Sequence, residues 1–243
     1  MRGKKNFRLD LHIHTCLSPC ADLLMTPANI IRAALQAGLD CIAITDHNTG
    51  GNVEVAMKIA RGSGLQIIPA MEIETREEVH LLCLFPVLEA LLEWDKLVAE
   101  NLPDLKNDEE FFGYQLYTDD QDEYIAKEER LLAVASRLSF NEVVEGVVKL
   151  GGMIIPAHVD RPANGIIRQL GFIPPEAEIS IVEISRHAKV EEIRQEYPYL
   201  KNYPYLTGSD SHYLSDIGNC GQEEKGFPLT EDLLQILAEY LSL

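Results

Sequence analysis

The stretch "LDLHIHTCLSPCAD", Leu9 to Asp22, ends an apolar run with two histidines one residue apart and sets two cysteines and an aspartate directly behind them. Side chains two apart in an extended strand share a face, so His12 and His14 can grip one ion together. Comparable groups recur further on. Asp46 and His47 close "DCIAIT", Glu72 and Glu74 close "LQIIPAMEI", His158 and Asp160 close "MIIPA", Glu183 lies in "AEISIVEIS", and Asp210 with His212 follows "YPYLTG". His80 is the offset case, because it opens the run "VHLLCLF" and does not close it. A lone histidine is ordinarily a core or surface residue with a satisfied hydrogen bond. Of the seven here, six fall beside expected strands and five stand at C-terminal strand ends accompanied by acids. That arrangement points to metal binding.

Mixed imidazoles and carboxylates suit zinc, manganese or iron(II) better than calcium or magnesium alone. The set is too large for one tetrahedral ion, so two or three divalent ions are expected, and Glu72 can bridge two of them. Ions held in this way activate a shared water and clamp an oxyanion.

The elements that must position these groups follow a βαβ grammar. "FRLDLHI" reads as a strand and "TPANIIRAALQAG" as a helix, with Thr26 as N-cap, Pro27 at its first position and Gly38 closing it. "DCIAIT" is a strand, "NVEVAMKIARGSG" a helix, and "LQIIPAMEI" and "VHLLCLF" are strands. A helix is expected from Phe85 to about Asn101, then a hairpin over "FFGYQLYTDDQDEYIA". "KEERLLAVASRL" and "FNEVVEGVVKLGG" have amphipathic helical spacing, "MIIPAH" is a strand, and "PANGIIRQLG" is a short helix ended by Gly171. "AEISIVEIS" and "YPYLTGSD" supply two more strands and "TEDLLQILAEYLSL" a closing helix. The expectation is an α/β chain of about seven strands, and in a parallel barrel their C-terminal ends converge on one face. With no linker in sight, residues 1–243 are expected to form one domain with an inserted helix-hairpin segment around 94–130.

Composition sets bounds. With 46% hydrophobic and 25% charged residues, the chain has the makings of a sizeable core. No apolar run reaches about 18 residues, and no apolar segment follows the basic start "MRGKKNFRLD", so a cytoplasmic protein without a membrane span is expected. Five cysteines, two of them (Cys41 and Cys83) inside apolar runs, argue for reduced thiols. A net charge of −18 disfavours a broad surface that tracks nucleic acid, but a small anion would still bind where metal ions supply local positive charge.

Taken together, "HIH" (His12, His14), "TDHN" (Asp46, His47), "AMEI" (Glu72), "EEVHLL" (His80), "IPAHVDR" (His158) and "GSDSH" (Asp210, His212) resemble the PHP family, named for polymerase and histidinol phosphatase. Each motif alone is weak; all six in the family's order, over nearly the whole chain, are specific. The resemblance implies a distorted (β/α)7 TIM-like barrel and a trinuclear hydrolase of phosphate esters. Carried over by position, one metal takes His12, His14, Glu72 and Asp210, a second Glu72, His80 and His158, and a third His47, His212 and one residue of the loop after the first strand. In a common family pattern that residue is an aspartate five positions after the second histidine, where this chain has Pro19. Asp22 and Cys20 are the nearby candidates. A carboxylate matches the other ligands better than a thiolate, so Asp22 is expected ahead of Cys20, with no loop ligand as the third option. The competing reading of Asp22 is a turn carboxylate.

The expected reaction is hydrolysis of a phosphate monoester or a nucleotide-type phosphoester by a metal-activated water, with Glu72 and His47 at the metals and no side-chain nucleophile. Ser18, Ser209 and Ser211 are expected to hydrogen-bond the ligands. Arg161 and Arg186, three residues after His158 and Glu183, are candidate phosphate clamps, with Arg76 a weaker choice and His187 a possible substrate contact. The expected substrate is a small phosphorylated molecule, with a nucleotide or a short oligonucleotide end among the candidates, and no membrane partner and no stable nucleic-acid complex are expected. Phe111, Phe112, Tyr114 and Tyr117 could cap a base, although a packed hairpin is the favoured reading. Two other functions compete. An amidohydrolase-like C–N hydrolase commonly needs a bridging lysine, and no expected strand ends in one; a silent metal-binding module usually shows lost ligands, and these are present outside the first loop.

Overall fold

The computed structural model describes residues 7–177, 179–221, 227, 228 and 237. In chain order the elements are β1 (Arg8–Ile13), α1 (Pro27–Ala37), β2 (Cys41–Ile44), α2 (Val53–Ala60), β3 (Gln66–Glu74), β4 (His80–Leu84), α3 (Leu88–Asn101), β5 (Leu116–Thr118), β6 (Tyr124–Lys127), α4 (Phe140–Lys149), β7 (Met153–Pro156), α5 (Ile166–Leu170), β8 (Val182–Glu183), α6 (Val190–Glu196), β9 (Tyr205–Leu206) and β10 (Phe227–Pro228), with short 3-10 turns between some of them. The expected closing helix "TEDLLQILAEYLSL" lies outside the described residues apart from Leu237, which is helical and buried.

The chain is α/β. A six-stranded sheet in the order β10-β1-β2-β3-β4-β7 forms its centre, with the pairs β5-β6 and β8-β9 beside it. β1, β2 and β3 are parallel, with α1 and α2 as crossovers. Both sheet faces bury apolar side chains, as parallel strands between layers require. Ile13, Ile42, Ile44 and Met71 join the helix side, while Leu9, Leu11, Ala43, Ile68 and Leu82 form the second cluster. Thr26 occupies the N-cap position of α1 but makes no side-chain cap bond, so Pro27 and the left-handed Gly38 (φ 73°) set that helix's limits. α4 carries a full capping box, Ser139 with Glu142.

Two expectations are corrected. β4 is antiparallel to both β3 and β7, so the sheet is not uniformly parallel. A tight turn closed by Thr75 N–H to Val79 O and Val79 N–H to Thr75 Oγ1 joins β3 to β4 with no crossover helix. The segment "KEERLLAVASRL" is also not a helix. Its backbone bonds across the chain: Leu131 N–H donates to Leu105 O, Leu132 N–H to the Gln115 side chain, and the Asn48 amide to the carbonyls of Leu132 and Val134. Leu131, Leu132 and Leu138 remain buried, so the apolar spacing was real and the local hydrogen bonding was not helical. Trp94, expected to open the insertion, is a fully buried residue of α3. In the hairpin that follows, Tyr117 donates its hydroxyl to Glu128, while Phe111, Phe112 and Tyr114 are exposed.

At one end the separate β8-β9 pair is tied to the main sheet. Val159 N–H donates to Glu183 O, Ile184 N–H to Leu206 O, and Ser211 N–H to His12 O. These bonds bring the loops after β1, β2, β3, β7 and β9, and the first residue of β4, to a common mouth. No helix among the described residues is long and apolar enough to cross a membrane.

Candidate metal centre

Glu72, near the end of β3 and 1% exposed, lies at the centre of that mouth. Five imidazole nitrogens surround its carboxylate: His80 Nδ1 at 2.9 Å, His47 Nδ1 at 3.0 Å, His12 Nε2 at 3.3 Å, His158 Nε2 at 3.4 Å and His14 Nε2 at 3.5 Å. Asp210 Oδ1 stands 3.3 Å from both His12 Nε2 and His14 Nε2. His80 belongs to this group because β4 is antiparallel, which puts its first residue beside the last residue of β3: Glu74 pairs with His80. Two members of the group hold unusual backbone: His158 (φ 29°) and Asp210 (φ 47°) lie in the left-handed region, a strain that surrounding contacts must hold in place.

These atoms approach one another without satisfying one another. Both Glu72 oxygens, His12 Nε2, His14 Nε2 and His80 Nδ1 are buried with no hydrogen-bond partner. Buried polar atoms are almost always paired, so a set of orphans facing one point fits divalent cations. Among the described residues, three groups bring ligand-type atoms within 4.8 Å of one another: His12, His14 and Asp210; His47, Glu72 and His80; and His14, His47 and His212.

The far sides of the same rings are held. His12 Nδ1 lies 3.1 Å from both oxygens of Glu183, which also accepts the His158 amide at 3.0 Å. His14 Nδ1 lies 3.1 Å from Ser18 Oγ, and Ser18 donates in turn to Asp46 at 2.7 Å. Asp46 also accepts from the Thr15 amide and hydroxyl, which fixes the loop after β1. His212 Nδ1 faces its neighbour's carbonyl, Asp210 O, at 2.9 Å. With Nδ1–H engaged in each ring, the Nε2 lone pair faces the centre, as metal-binding histidines require. Beneath them Asp10 takes the amides of Ser209 and Gly218, and Ser209 and Ser211 share a short hydroxyl contact.

Electrostatics follow from this packing. Burial opposes the Glu72 carboxylate, yet the charges of His80 and His12 outweigh it and hold Glu72 well below the usual range. Burial likewise opposes charge on His12, and the carboxylates Glu183 and Glu72 prevail, raising it well above 6.5. His14 is lowered by burial and by the charges of His212 and His47.

The loop after β1 holds two thiols in opposite states. Cys16 is buried and pushed up to about 12 by desolvation and the charge of Asp46. Cys20 is exposed at the mouth, with Sγ 3.1 Å from His212 Nε2. Desolvation raises it, but the charge of His47 and hydrogen bonds with His212 and His47 overcome this and lower it to about 6. The Asp22 carboxylate makes a turn contact, Oδ1 accepting the Leu24 amide at 2.8 Å, and neither Asp22 nor Cys20 joins any of the three ligand groups.

Of the expected phosphate clamps, Arg161 reaches the cluster, its Nη2 2.5 Å from Asp210 Oδ2. Arg186 and His187 are brought to one another instead, Nε to Nε2 at 3.1 Å, and Arg186 pairs with Asp216. Arg76 contacts Glu77 at the surface. Reading the sequence located Glu183 and Asp46 without giving either a role. The signal was available for Glu183, a carboxylate at a strand end like the others, but its orienting contact depends on a partner 171 positions away.

Known proteins resemble the chain in sequence and fold. A 5'-3' exoribonuclease from Haemophilus influenzae is 29% identical over 101 residues, covering 38% of this chain and 36% of the relative, so the alignment spans about a third of that protein. Among solved structures, the lesion-specific endonuclease PfuEndoQ from Pyrococcus furiosus superposes with a TM-score of 0.67 at 21% identity, over 87% of this chain and 50% of that one. A chain named as a metal-dependent phosphoesterase from Bifidobacterium adolescentis superposes with a TM-score of 0.62 at 18% identity, over 97% of each. At those identities the likeness is one of fold. The PHP domain model matches residues 10–189, the span that carries Glu72 and all the histidines around it, and the chain therefore belongs to the PHP domain family.

Proposed function

We propose that the chain is a metal-dependent phosphoesterase whose centre is held by His12, His14, His47, Glu72, His80, His158, Asp210 and His212. The observation that carries this reading is the convergence of five imidazole nitrogens on the two unpartnered oxygens of Glu72. Two or three zinc, manganese or iron(II) ions held there supply Lewis-acid activation of water and neutralise phosphoryl charge. The chain's residues do the rest. Glu72, with two oxygens facing different histidines, would be one of the residues that hold the ions. Glu183 and Ser18 hold their histidines in the tautomer that turns Nε2 inward. Arg161 is tethered to Asp210 and 44% exposed, so its guanidinium can take a phosphoryl oxygen at the open side of the mouth. Arg186 has one buried nitrogen without a partner and is a second, more distant candidate.

The substrate we infer is a phosphate monoester or a nucleotide-type phosphoester, such as a nucleotide or short oligonucleotide end. The names of the exoribonuclease and endonuclease relatives support a nucleotide-type substrate, and the charge of −18 argues against a long polymer held along the surface. We read the fold as a single distorted (β/α)7 barrel, supported by the bonds that link β7 to β8, β8 to β9 and the end of β9 to β1. Screening the metal-loaded protein against mononucleotides, sugar phosphates, histidinol phosphate and short oligonucleotides should find hydrolysis that depends on added manganese, zinc or iron(II). Full activity in His14→Ala or Asp210→Ala would overturn the reading.

A further inference from the structure

We propose that Cys20 supplies a thiolate ligand to a third metal position shared with His47 and His212, which makes the centre chemically mixed. The inference rests on the metal-centre reading above and deepens it. The first observation is placement: Sγ of Cys20 lies 3.1 Å from His212 Nε2, the nitrogen left to bind an ion once Nδ1 is engaged by Asp210 O. A sulfur and a nitrogen on one tetrahedral zinc stand about 3.6 Å apart, given bonds of about 2.3 and 2.05 Å. The loop therefore needs only a small adjustment to admit an ion. The second observation is independent of the thiol. His14 Nε2, fully buried and without a hydrogen-bond partner, gathers with nitrogens of His47 and His212 within 4.8 Å. The ring centroids of His14 lie 4.4 Å from His212 and 4.5 Å from His47, so three imidazoles crowd one point on the Cys20 side of the centre.

The loop itself selects the thiol. Asp22 spends a carboxylate oxygen on the Leu24 amide, and its own amide is bound to His212 O, which fixes it as the turn that carries Cys20 past the histidines. Cys16, four residues earlier, is buried against Leu116 O and faces away. A thiolate with two imidazoles is a softer donor set than the imidazoles and carboxylates around Glu72, and softer sets favour zinc over manganese. The third position should thus keep zinc under conditions that exchange the other two for manganese.

The test is spectroscopic and does not depend on turnover. Cobalt(II) is titrated into metal-free wild-type protein and into Cys20→Ser, Cys20→Asp and Asp22→Ala, with metal content measured after gel filtration. The proposal expects a near-ultraviolet thiolate-to-cobalt charge-transfer band in wild type and Asp22→Ala, and its absence in both Cys20 variants. Cys20→Ser should bind one ion fewer, whereas Cys20→Asp should recover the ion without the band. Absence of the band in cobalt-loaded wild type, its persistence in Cys20→Ser, or loss of an ion in Asp22→Ala would overturn it. A protein that shows the band but hydrolyses no phosphoester would uphold the ligand and overturn the proposed function.

Discussion

Glu183 holds two histidines at once: its carboxylate meets His12 Nδ1 at 3.1 Å and the His158 amide at 3.0 Å. One buried carboxylate thereby sets a ring from β1 and the strained turn after β7. Glu183→Ala should weaken metal binding about 10- to 100-fold, the usual cost of losing such an orienting partner. Competition with a chelator of known affinity measures it, and unchanged affinity would remove Glu183 from the centre.

Gly208 leaves room for that carboxylate. A Cβ at this position would stand 2.5 Å from Glu183 Oε2 and 2.7 Å from His12 Cβ. Gly208→Ala is expected to displace Glu183 and lower metal affinity by roughly tenfold or more. In a Glu183→Ala background the same change should cost less, leaving only the contact with His12 Cβ, since residues sharing one interaction are not additive. Additive losses would point to backbone damage instead.

Ser18 accepts from His14 Nδ1 and the His47 amide and donates to Asp46. Ser18→Ala leaves these buried groups short of partners and should cost about 1–3 kcal/mol of stability. Urea unfolding of the metal-free protein reads this directly, and a change below about 0.5 kcal/mol would show that water replaces the hydroxyl.

The pH dependence has a definite sign. His12, His47, His80 and His212 are raised above 6.5 in the metal-free protein, so the stability they contribute is fully present below 6.5 and is lost as pH rises through their higher values. His14 and His158 are lowered and act in the opposite sense, but they are the smaller group. Metal ions compete with protons for these rings. The rise in Tm on adding metal should therefore be small below pH 6.5 and grow above it. A shift independent of pH would mean that the histidines are not the ligands.

Much of this was legible in the sequence for a physical reason. Residues at strand ends are fixed by short-range hydrophobic patterning, and the strands that hold His12 and Glu72, or end two residues before Asp46 and His158, are ones that form. His80 looked misplaced only because strand direction is a tertiary property, and an antiparallel β4 returns its first residue to the same mouth. The segment 127–138 misled because its apolar spacing is real while its backbone partners, Leu105, Gln115 and Asn48, lie far away in sequence. The choice between Asp22 and Cys20 was posed on donor type. In the structure an Asx turn engages the Asp22 carboxylate while the Cys20 thiol lies against His212, a contact that donor type alone does not predict.

The hairpin segment leans on the loop after β1: Leu116 N–H donates to Cys16 O, Gly113 adopts φ 101° where any side chain would meet Pro19 O, and Asn52 bridges Leu116 O to Thr15. A loop braced from outside has surrendered its conformational entropy at folding. An arriving ion then meets ligands already ordered, and little of its binding energy is diverted to arranging them. Loosening the hairpin would be felt first as faster metal escape, well before any loss of the six-stranded sheet beneath it.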